Sequence, residues 1–404
     1  MLYLVGGPGN AERVDVSDLF ARRIAASGFT IDYVIFSRET TRAWEEIAWR
    51  GARAWVVGRS PRAGVTGALQ SKWYELLADL RFFGKALSGR YDIVQVRDKF
   101  VVGVLGLLAA RIRGKRFTYW LSYPFAECRI VDGREGNSRF PRASILGGHV
   151  ARWLLYRIIL PRADHVFVQS EQMKKDVAAE GIEEQKMTSV PMAVSESLLD
   201  VPRQVPLKDT ILYLGTLIRV RRLDTLLEAL LLVQRRHPAA RLVFVGDGDS
   251  PKDRAFLERR VAELGLSSSV SFTGMLPMEE AHEQVAKAAV CVSPFYPIPI
   301  LLSTSPTKIS EYMALGRPVV ANAHPEQSLV IRESGAGICV EWSAEAFATA
   351  IDSLLADPEA AEAMGARGRT YVRAHRTYAV VAPAVIAEYR RILGDRSGES
   401  EVHA

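Results

Sequence analysis

The sequence contains little cysteine and no long hydrophobic run, and these shortages exclude several classes of protein. Its three cysteines are too few and too scattered among 404 residues for a disulfide framework or a metal cluster. The longest apolar run, 100–110, is about half a membrane span and is closed by two arginines. The start, MLYLVGG, lacks the basic region of a signal peptide. We therefore predict a cytoplasmic protein that does not cross a bilayer.

The charge is unevenly distributed along the chain. Residues 51–160 contain 19 Lys and Arg against 7 Asp and Glu, a balance of +12, whereas the whole chain carries +6. This asymmetry favours contact between the first half and something anionic: an acidic substrate, a membrane surface or nucleic acid. A solvated basic face without any partner explains the asymmetry equally well.

Short apolar runs alternate with amphipathic helical patterns, which is typical of βαβ units and of parallel sheets covered by helices on both faces. We predict an α/β protein with two doubly wound, Rossmann-like domains, 1–200 and 201–380, joined through the proline-containing segment 196–210. A C-terminal helix, 381–393, is expected to return to the first domain, and the polar tail 394–404 to be disordered. The predicted strands are 2–5, 31–36, 54–57, 92–96, 116–121, 165–169, 211–214, 241–245, 269–272, 290–293, 318–321 and 337–340.

Glycines follow three of these strands, at the ends where parallel sheets bind their ligands. Each glycine would let a phosphate approach the backbone, although any strand-to-helix turn favours this residue. Asp247 and Asp249, in the last of these turns, have the spacing of a carboxylate pair but no third ligand in view, so we predict no metal. The glycines are Gly6, Gly7, Gly9, Gly215, Gly246 and Gly248.

The stretch STSPTKISEYMALGRPVVA, beginning at Ser303, predicts a helix followed directly by a strand. Ser305 is the expected N-cap, Pro306 suits the first helical position, and Gly316 can close the C-terminus. A helix start of this kind presents free N–H groups to an anion.

Three side chains of this helix extend the anion-binding interpretation. Thr307 and Lys308 add a hydroxyl and an ammonium at the helix start, and the carboxylate of Glu311 suits two adjacent ribose hydroxyls. The segment RVRRLD, 219–224, is expected to open another helix, and its arginines oppose the helix dipole unless an anion is bound there. The pattern predicts a nucleotide diphosphate site. The alternatives are a solvated basic turn and a weak ion pair between Lys308 and Glu311.

From Gly215 to Arg373 the sequence resembles the donor domain of retaining glycosyltransferases of family 4, which have the GT-B fold of two domains facing each other across a cleft. The resemblance lies in six pieces in this order: LGTLIRVRRLDTLLEAL, ARLVFVGDGD, VSFTGMLP, SEYMALGRPVVA, GICV before an acidic helix, and the C-terminal helices after DPEAAEAMGARGR. The first half is similar only in its layout and in its GGPGN turn.

The resemblance implies a donor site that needs neither metal nor cofactor. Arg221 or Arg222 would contact the pyrophosphate, and the backbone at Met275 and Leu276 the base. Glu311 stands at the second glutamate of the family's E-x7-E pattern and would bind ribose. The remaining expected donor-binding residues are Gly7, Gly215, Thr216, Gly246, Ser303, Ser305, Thr307 and Lys308.

The sequence departs from the family pattern at three places. Ser303 replaces the first glutamate of E-x7-E, Thr216 replaces an arginine, and the histidine of the N-terminal domain is absent from QVRDKF and YWLSYPFAE. Asp98 or Glu127 is therefore our candidate for the polar catalytic role at the acceptor hydroxyl, with Lys308 stabilising the leaving diphosphate. Two histidines of the first half, His149 and His165, fall in helix or strand contexts and are expected to be surface or core residues.

Two segments, 69–90 and 152–162, combine aromatic and aliphatic residues with Lys and Arg. Such a helix can lie at the interface of an anionic membrane, which would suit an enzyme with a lipid-linked acceptor. A helix that covers the sheet and exposes a basic face is the alternative.

Together these patterns predict a retaining, metal-independent glycosyltransferase of the hexosyltransferase type. Its donor would be a nucleotide diphosphate sugar, and its acceptor a glycan such as a lipid-linked one in surface polysaccharide or exopolysaccharide biosynthesis, at the inner face of the plasma membrane. An inactive nucleotide-sugar-binding subunit is the first alternative, because of Ser303 and the missing histidine. A nicotinamide-dependent oxidoreductase is the second, although the chain lacks a full G-x-G-x-x-G. We expect no nucleic-acid partner.

Overall fold

A computed structural model describes residues 1–8, 13–37, 40–62, 64–136, 138, 140–248 and 250–394. The chain divides into two compact units: unit 1 is Met1–Pro191 together with the residues from Val381 onward, and unit 2 is Met192–Val380. The division falls before the predicted boundary at 200/201, because Leu198 and Leu199 of the expected linker pack into the core of unit 2. Gly9, Asp249 and the tail 395–404 lie outside the described residues.

Unit 1 contains the strands β1 (Leu2–Pro8), β2 (Asp32–Phe36), β3 (Glu45–Trp49), β4 (Ala52–Val57), β5 (Ile93–Arg97), β6 (Arg116–Leu121), β7 (His165–Val168) and β8 (Met187–Ser189). Over the described residues they form one sheet in the order β3-β4-β2-β1-β5-β6-β7-β8, with parallel pairs except for antiparallel β3 and β4. The central strands β2, β5 and β7 are buried along their whole length, as expected for a sheet covered on both faces.

The helices of unit 1 connect these strands. They are the π-helical Asp15–Ile24, then Gly64–Leu87, Val101–Ile112, Phe125–Arg134, Pro141–Trp153, π-helical Leu154–Ile159, Leu160–Arg162, Glu171–Ala179 and the 3-10 turn Glu184–Lys186. The last helix of the chain, Tyr378–Leu393, belongs to this unit from Val381 onward.

Unit 2 contains β9 (Thr210–Leu214), β10 (Arg241–Val245), β11 (Val270–Phe272), β12 (Val290–Ser293), β13 (Val319–Asn322) and β14 (Gly337–Val340). Its helices and 3-10 turns are Glu196–Asp200, Arg219–Arg221, Asp224–Val233, Pro251–Glu263, Met278–Lys287, Pro299–Leu302, Thr307–Ala314, Pro325–Ser334, Ala344–Ala356 and Pro358–His375. In the part of the chain described, the sheet is parallel throughout in the order β11-β10-β9-β12-β13-β14.

The prediction of two doubly wound, Rossmann-like α/β domains is confirmed. In unit 2 the strand order reverses between β9 and β12, and in unit 1 it reverses between β1 and β5. Ligands of open parallel sheets bind at such a switch point, outside the carboxyl ends of the strands. We therefore expect a ligand of each unit to lie beside the residues that follow β1 and β5, or β9 and β12.

Two short strands, β3 and β8, were not among the predicted ones. β3 alternates exposed and half-buried residues and is joined to β4 by a two-residue turn, Arg50–Gly51. Both turn residues have positive φ, 48° and 80°, which is the geometry of a type I′ hairpin. Arginine is an unusual residue in this conformation, so the sequence carries no strong hairpin signal.

The helix Tyr378–Leu393 packs on the sheet of unit 1. The Tyr389 hydroxyl donates a hydrogen bond to the Gln95 side chain, and its ring lies 4.9 Å from that of Phe167. His165, buried in β7, contacts Glu388 at 2.8 Å between Nδ1 and Oε1. Its other ring nitrogen lies 2.9 Å from the Thr188 hydroxyl. His165 is thus a core residue, whereas His149 lies exposed on the helix Pro141–Trp153.

We predict that Glu388→Gln destabilises the protein. Burial alone would raise the pKa of Glu388, but hydrogen bonds from His165 and Arg391 lower it from 4.5 to about 2. A lowered carboxyl pKa contributes stability above pH 4.5, up to about 3 kcal/mol, which is lost as the pH falls toward 2. Thermal and urea unfolding at several pH values should show a deficit at pH 7 that shrinks below pH 4.5.

Glu283→Gln is the matched control, because its pairing with Lys287 on an exposed helix face contributes little. Equal stability of Glu388→Gln and wild type at neutral pH would show that the C-terminal helix does not depend on this carboxylate.

Candidate functional site

The carboxyl ends of β9 and β10 approach each other so closely that only glycine fits. Gly215 and Gly246 have φ values of 139° and 127°, and a Cβ on Gly246 would lie 2.3 Å from the carbonyl oxygen of Gly215. Gly215 N–H donates to Val245 O at 2.9 Å, and Gly246 N–H donates to Gly274 O at 3.1 Å. These turns therefore bring the backbone of two strand ends together at one edge of the sheet, beside the switch point.

The phenol of Tyr213, the fourth residue of β9, organises the site. Tyr213 is fully buried, and its hydroxyl donates to the carbonyl oxygen of Thr216 at 3.0 Å. The hydroxyl oxygen of Tyr213 in turn accepts hydrogen bonds from Arg221 Nη1 and Lys308 Nζ, both at 3.1 Å. One oxygen atom thus holds two cations side by side. Thr216, in place of the family's arginine, takes part through its backbone.

Lys308 is a buried cation without a carboxylate partner among the described residues. Its Nζ lies 4.2 Å from the ring centre of Tyr213 and 5.1 Å from that of Phe295. Burial and the nearby Arg221 lower the pKa of Lys308 well below its ordinary value, although Glu311 opposes this shift. The expected alternative, an ion pair between Lys308 and Glu311, is not formed.

The arginines of RVRRLD, which were expected to begin a helix, lie in a turn instead. Arg219–Arg221 form a 3-10 turn, Arg222 adopts the left-handed conformation with φ of 49°, and the helix begins only at Asp224. The expectation that RVRRLD opens the helix is therefore wrong. Arg221 and Arg222 lie over the rings of Phe295 and Tyr296, at 5.3 and 5.5 Å, just after β12.

The Nε atom of Arg221 is buried and has no hydrogen-bond partner among the described residues. A left-handed conformation at a non-glycine residue such as Arg222 costs of order 1 kcal/mol, and such strain concentrates at ligand sites. Both observations indicate that this turn is shaped for a ligand that accepts hydrogen bonds.

The helix predicted after Ser303 is present, but its start differs from the expectation. It spans Thr307–Ala314, and Pro306 is the N-cap residue without a side-chain hydrogen bond. The prediction of Ser305 as N-cap is wrong, because the Ser305 hydroxyl accepts a hydrogen bond from Met192 N–H at 2.9 Å. Gly316 ends the helix with φ of 72°, as predicted.

Glu311 faces a histidine from a neighbouring helix. Its Oε1 lies 3.7 Å from Nε2 of His282, which is on the helix Met278–Lys287. His282 Nε2 is buried and has no hydrogen-bond partner among the described residues. A ligand hydroxyl between the two groups could bond to both. Glu311 therefore presents a carboxylate one turn after Lys308 on the same helix.

The remaining predicted donor residues differ in exposure. Met275 is 75% exposed, whereas Leu276 packs partly against the core. Ser303 is buried and its N–H donates to Pro299 O at 3.1 Å. The Thr307 side chain is half-buried at the helix start. The described residues thus bring Gly215, Thr216, Arg221, Gly246 and Lys308 into direct proximity.

In unit 1 the switch point is built around a buried arginine. Arg97, at the end of β5, contacts Asp15 with 2.8 Å between Nη1 and Oδ2, and Asp98 with 3.3 Å between Nε and Oδ2. Burial opposes ionisation of Asp15, but Arg97 and Arg13 together lower its pKa. Gly7, with φ of 82°, lies near the end of the adjacent β1.

The two catalytic candidates of unit 1 have different surroundings. Asp98 has φ of 54°, and its carboxylate accepts hydrogen bonds from Ser122 N–H, at 2.8 Å, and from the Ser122 hydroxyl. Burial raises the pKa of Asp98, and its oxygens are occupied by Ser122 and Arg97. Glu127 lies 3.6 Å from Arg152 through Oε1, while Oε2 is buried without a hydrogen-bond partner among the described residues.

Sequence reasoning missed the residues that contact the cations, namely Tyr213, Phe295 and Tyr296, and it missed His282 beside Glu311. A tyrosine two positions before Gly215 and the pair Phe-Tyr directly after β12 were the available signals. In the described residues, no cluster of three or more His, Cys, Asp or Glu side chains could hold a metal ion. Asp247 instead accepts a hydrogen bond from Gly248 N–H and lies 3.7 Å from Arg254.

Two family models match the chain. The model for glycosyl transferases group 1 matches residues 208–357, which lie in unit 2. The model for a glycosyl transferase 4-like domain matches residues 16–193, which lie almost entirely in unit 1.

Similar curated proteins match over part of the chain. A GDP-mannose-dependent alpha-(1-6)-phosphatidylinositol monomannoside mannosyltransferase of Mycolicibacterium smegmatis is 32% identical over 165 residues, which is 40% of this chain and 42% of that protein. The alpha-D-kanosaminyltransferase of Streptomyces kanamyceticus is 25% identical over 183 residues, 45% of each chain. The matches therefore span less than half the length of these relatives.

Solved structures match over nearly the whole chain. A sucrose-phosphate synthase from Thermosynechococcus elongatus has a TM-score of 0.73 at 21% identity, covering 97% of this chain and 99% of that one. HepE of Anabaena in complex with UDP-glucose has a TM-score of 0.69 at 16% identity, covering 96% and 98%. At these identities the likeness shows the fold, which is GT-B.

We predict that Lys308→Met stabilises the ligand-free protein at neutral pH by about 1–4 kcal/mol, the range found when buried ion pairs are replaced by apolar residues of similar volume. Because the folded state lowers the pKa of Lys308 from 10.5, the unfolded state binds more protons below that pH. Wild-type stability should therefore rise as the pH approaches 10.5, and the variant should lack this slope.

Urea unfolding between neutral and alkaline pH measures this difference. Exposed Lys252→Met is the control and should leave the slope unchanged. A Lys308→Met variant that is less stable than wild type would contradict the assignment of Lys308 as a cation kept at a cost in stability.

Proposed function

Because the chain belongs to glycosyltransferase family 4, we propose that it transfers a sugar from a nucleotide diphosphate donor to a glycan acceptor. The observation that carries the proposal is the pair of cations, Arg221 and Lys308, held on the Tyr213 hydroxyl at the switch point of unit 2. Arrangements of this kind stabilise the negative charge that develops on a leaving diphosphate.

The diphosphate would lie between the arginine turn and the start of the helix Thr307–Ala314. Arg221, Arg222 and Lys308 supply three positive charges there, and the first N–H groups of the helix add partial ones. The unpartnered Nε of Arg221 is suited to a phosphate oxygen. A bound diphosphate would also oppose the effect of burial and Arg221, which lower the pKa of Lys308.

The ribose would be bound by Glu311 and the base by the backbone at Met275 and Leu276. The pair formed by Glu311 and His282 supports the ribose assignment, since a carboxylate and an imidazole can both bond to hydroxyls. The Mycolicibacterium smegmatis relative is named for GDP-mannose, and the Anabaena neighbour was solved with UDP-glucose. A nucleoside diphosphate is common to both donors, and we propose a hexose as the transferred sugar.

For the acceptor, the geometry of unit 1 favours Glu127 over Asp98. The oxygens of Asp98 are already bonded to Ser122 and Arg97, whereas Oε2 of Glu127 is free of hydrogen bonds among the described residues. We propose that Glu127 binds the acceptor hydroxyl and that Asp98 positions the loop after β5. The family resemblance implies retention of configuration, without a metal or cofactor.

A lipid-linked acceptor would suit the exposed apolar residues of unit 1. On the helix Gly64–Leu87, Leu69, Trp73, Leu76 and Leu80 recur at helical spacing and are 44–66% exposed. A helix that exposes apolar residues such as these, beside lysines and arginines, can bind an anionic membrane peripherally. Segment 152–162 instead contributes buried residues to the core of unit 1, as expected for the alternative, a helix that covers the sheet. No helix of the described residues is long and apolar enough to cross a membrane.

We predict that Glu311→Ala weakens the binding of UDP or GDP about tenfold or more, because a charge-assisted contact contributes about 1.5–3 kcal/mol. Calorimetric titration with each nucleotide measures the change. Glu283→Ala, on the adjacent helix, is the matched control. An unchanged dissociation constant would remove Glu311 from the ribose site.

Release of nucleoside diphosphate from a donor sugar separates an active enzyme from an inactive binding subunit.

We predict that replacing Trp73 and Leu76 by serine weakens binding to sedimented vesicles of phosphatidylcholine and phosphatidylglycerol about a hundredfold or more, since each side chain would lose about 1.5–3 kcal/mol of favourable burial in the interface. The control replaces Val205 and Leu207, exposed apolar residues of unit 2, by serine. Equal sedimentation of all three proteins, or none by wild type, would exclude this membrane contact.

A further inference from the structure

A pocket lies in unit 1, at the end of the sheet where the strands begin. Arg53 lies at the start of β4, and Arg90 comes shortly before β5. Gly7 and Asp98, in contrast, mark the opposite edge, where β1 and β5 end. The pocket has a volume of about 390 Å³, within the range of small-molecule sites, and does not belong to the site described above.

Two stacked tryptophans form one wall of this pocket. The rings of Trp44 and Trp55 are 6.0 Å apart and 15° from parallel. Trp55 is buried, and its Nε1 donates to Glu46 Oε2 at 2.7 Å. Trp44 is half-buried and offers the pocket a flat apolar surface.

Four cations line the same pocket. Lys85 Nζ lies 3.4 Å from the ring centre of Trp55, and Arg81 lies 5.2 Å from that of Trp44. Arg53 lies 5.6 Å from the Trp55 ring and 3.4 Å from Asp32, measured from Nε to Oδ2. Arg90 completes the set.

Most of the positive charge of the pocket has no carboxylate partner in the described part of the chain, since Arg53 is paired with Asp32 and the other three cations are not. Among the described residues, Arg81, Lys85 and Arg90 have no Asp or Glu within ion-pair distance, and their side chains donate no hydrogen bond. Arg81 and Lys85 are four residues apart on one helix, so their like charges repel each other. Burial and Arg53 lower the pKa of Lys85, whereas Glu46 opposes this shift. A guanidinium stacked on a ring still has its in-plane N–H donors available.

The arrangement favours a phosphate over a carboxylate. Guanidinium groups bind phosphate oxygens in pairs, and a phosphate offers more acceptor oxygens and more negative charge to several cations than a carboxylate does. The volume exceeds what a bare phosphate needs, and Trp44 provides an apolar surface for an attached organic group.

We propose that this pocket binds a phosphate ester, with its phosphate held by Arg81, Lys85 and Arg90 and its organic part against Trp44. Two sources share this chemistry: a soluble phosphorylated sugar or polyol, and the headgroup of an anionic phospholipid. The proposal is independent of the donor site in unit 2, because it depends on none of the residues placed there.

The test compares Arg81→Gln and Arg90→Gln in the full-length protein. Calorimetric titration with glycerol phosphate measures the soluble ligand, and sedimentation with phosphatidylcholine vesicles, with and without phosphatidylglycerol, measures the headgroup. We expect wild type to bind at least one probe saturably, and each variant to bind it about tenfold more weakly. Arg235→Gln, an exposed arginine of unit 2, makes the same charge change and should bind as wild type does.

The outcomes separate the sources and can overturn the proposal. Binding of glycerol phosphate assigns a soluble ester, and binding only of phosphatidylglycerol vesicles assigns the headgroup. Binding of neither probe by wild type, or equal losses in Arg235→Gln, would overturn the site. Thermal unfolding of each variant verifies that it is folded, and unchanged binding of UDP or GDP shows that the donor site is intact.

Discussion

The candidate site of unit 2 depends on one shared hydrogen-bond acceptor, the phenol oxygen of Tyr213. Without it, Arg221 and Lys308 would be two like charges at a buried position with no common partner. The oxygen holds both cations, and the rings of Tyr213 and Phe295 supply electron-rich faces in place of carboxylates. Because a carboxylate would neutralise the cations, an aromatic support keeps their charge available to a ligand. In the proposed donor site, the buried cations would therefore lower the stability of the ligand-free protein and offer their charge to an anion.

The sequence predicts most of the fold because parallel strands are continuous apolar runs. The runs at β5, β9 and β12 are recognisable for that reason, and the glycines after β9 and β10 mark strand ends that cannot carry a side chain. The hairpin strand β3 could not be recognised, because two of its five residues face solvent, none is fully buried, and its turn uses arginine.

Local rules fail in this chain where a distant partner competes for the same group. Ser305 has the right type and position for a helix cap, but the Met192 N–H, far away in sequence, binds its hydroxyl. The arginines of RVRRLD are held back from the helix by the left-handed residue Arg222. Motif spacing indicated which residues gather at the site. It could not indicate that Tyr213 would contact Lys308 or that His282 would contact Glu311, because each of these contacts joins two separate elements of secondary structure.

The path of the chain through unit 1 has a consequence for how the protein is made. Unit 2 is inserted between Pro191 and Val381, so the helix that covers Gln95 and Phe167 is synthesised after the whole of unit 2. While the chain grows, that face of the first sheet is exposed, and unit 2 can complete its own core earlier. The N-terminal unit can therefore complete its core only after unit 2 has been synthesised, and a nascent chain released before Tyr389 would leave part of its hydrophobic face uncovered.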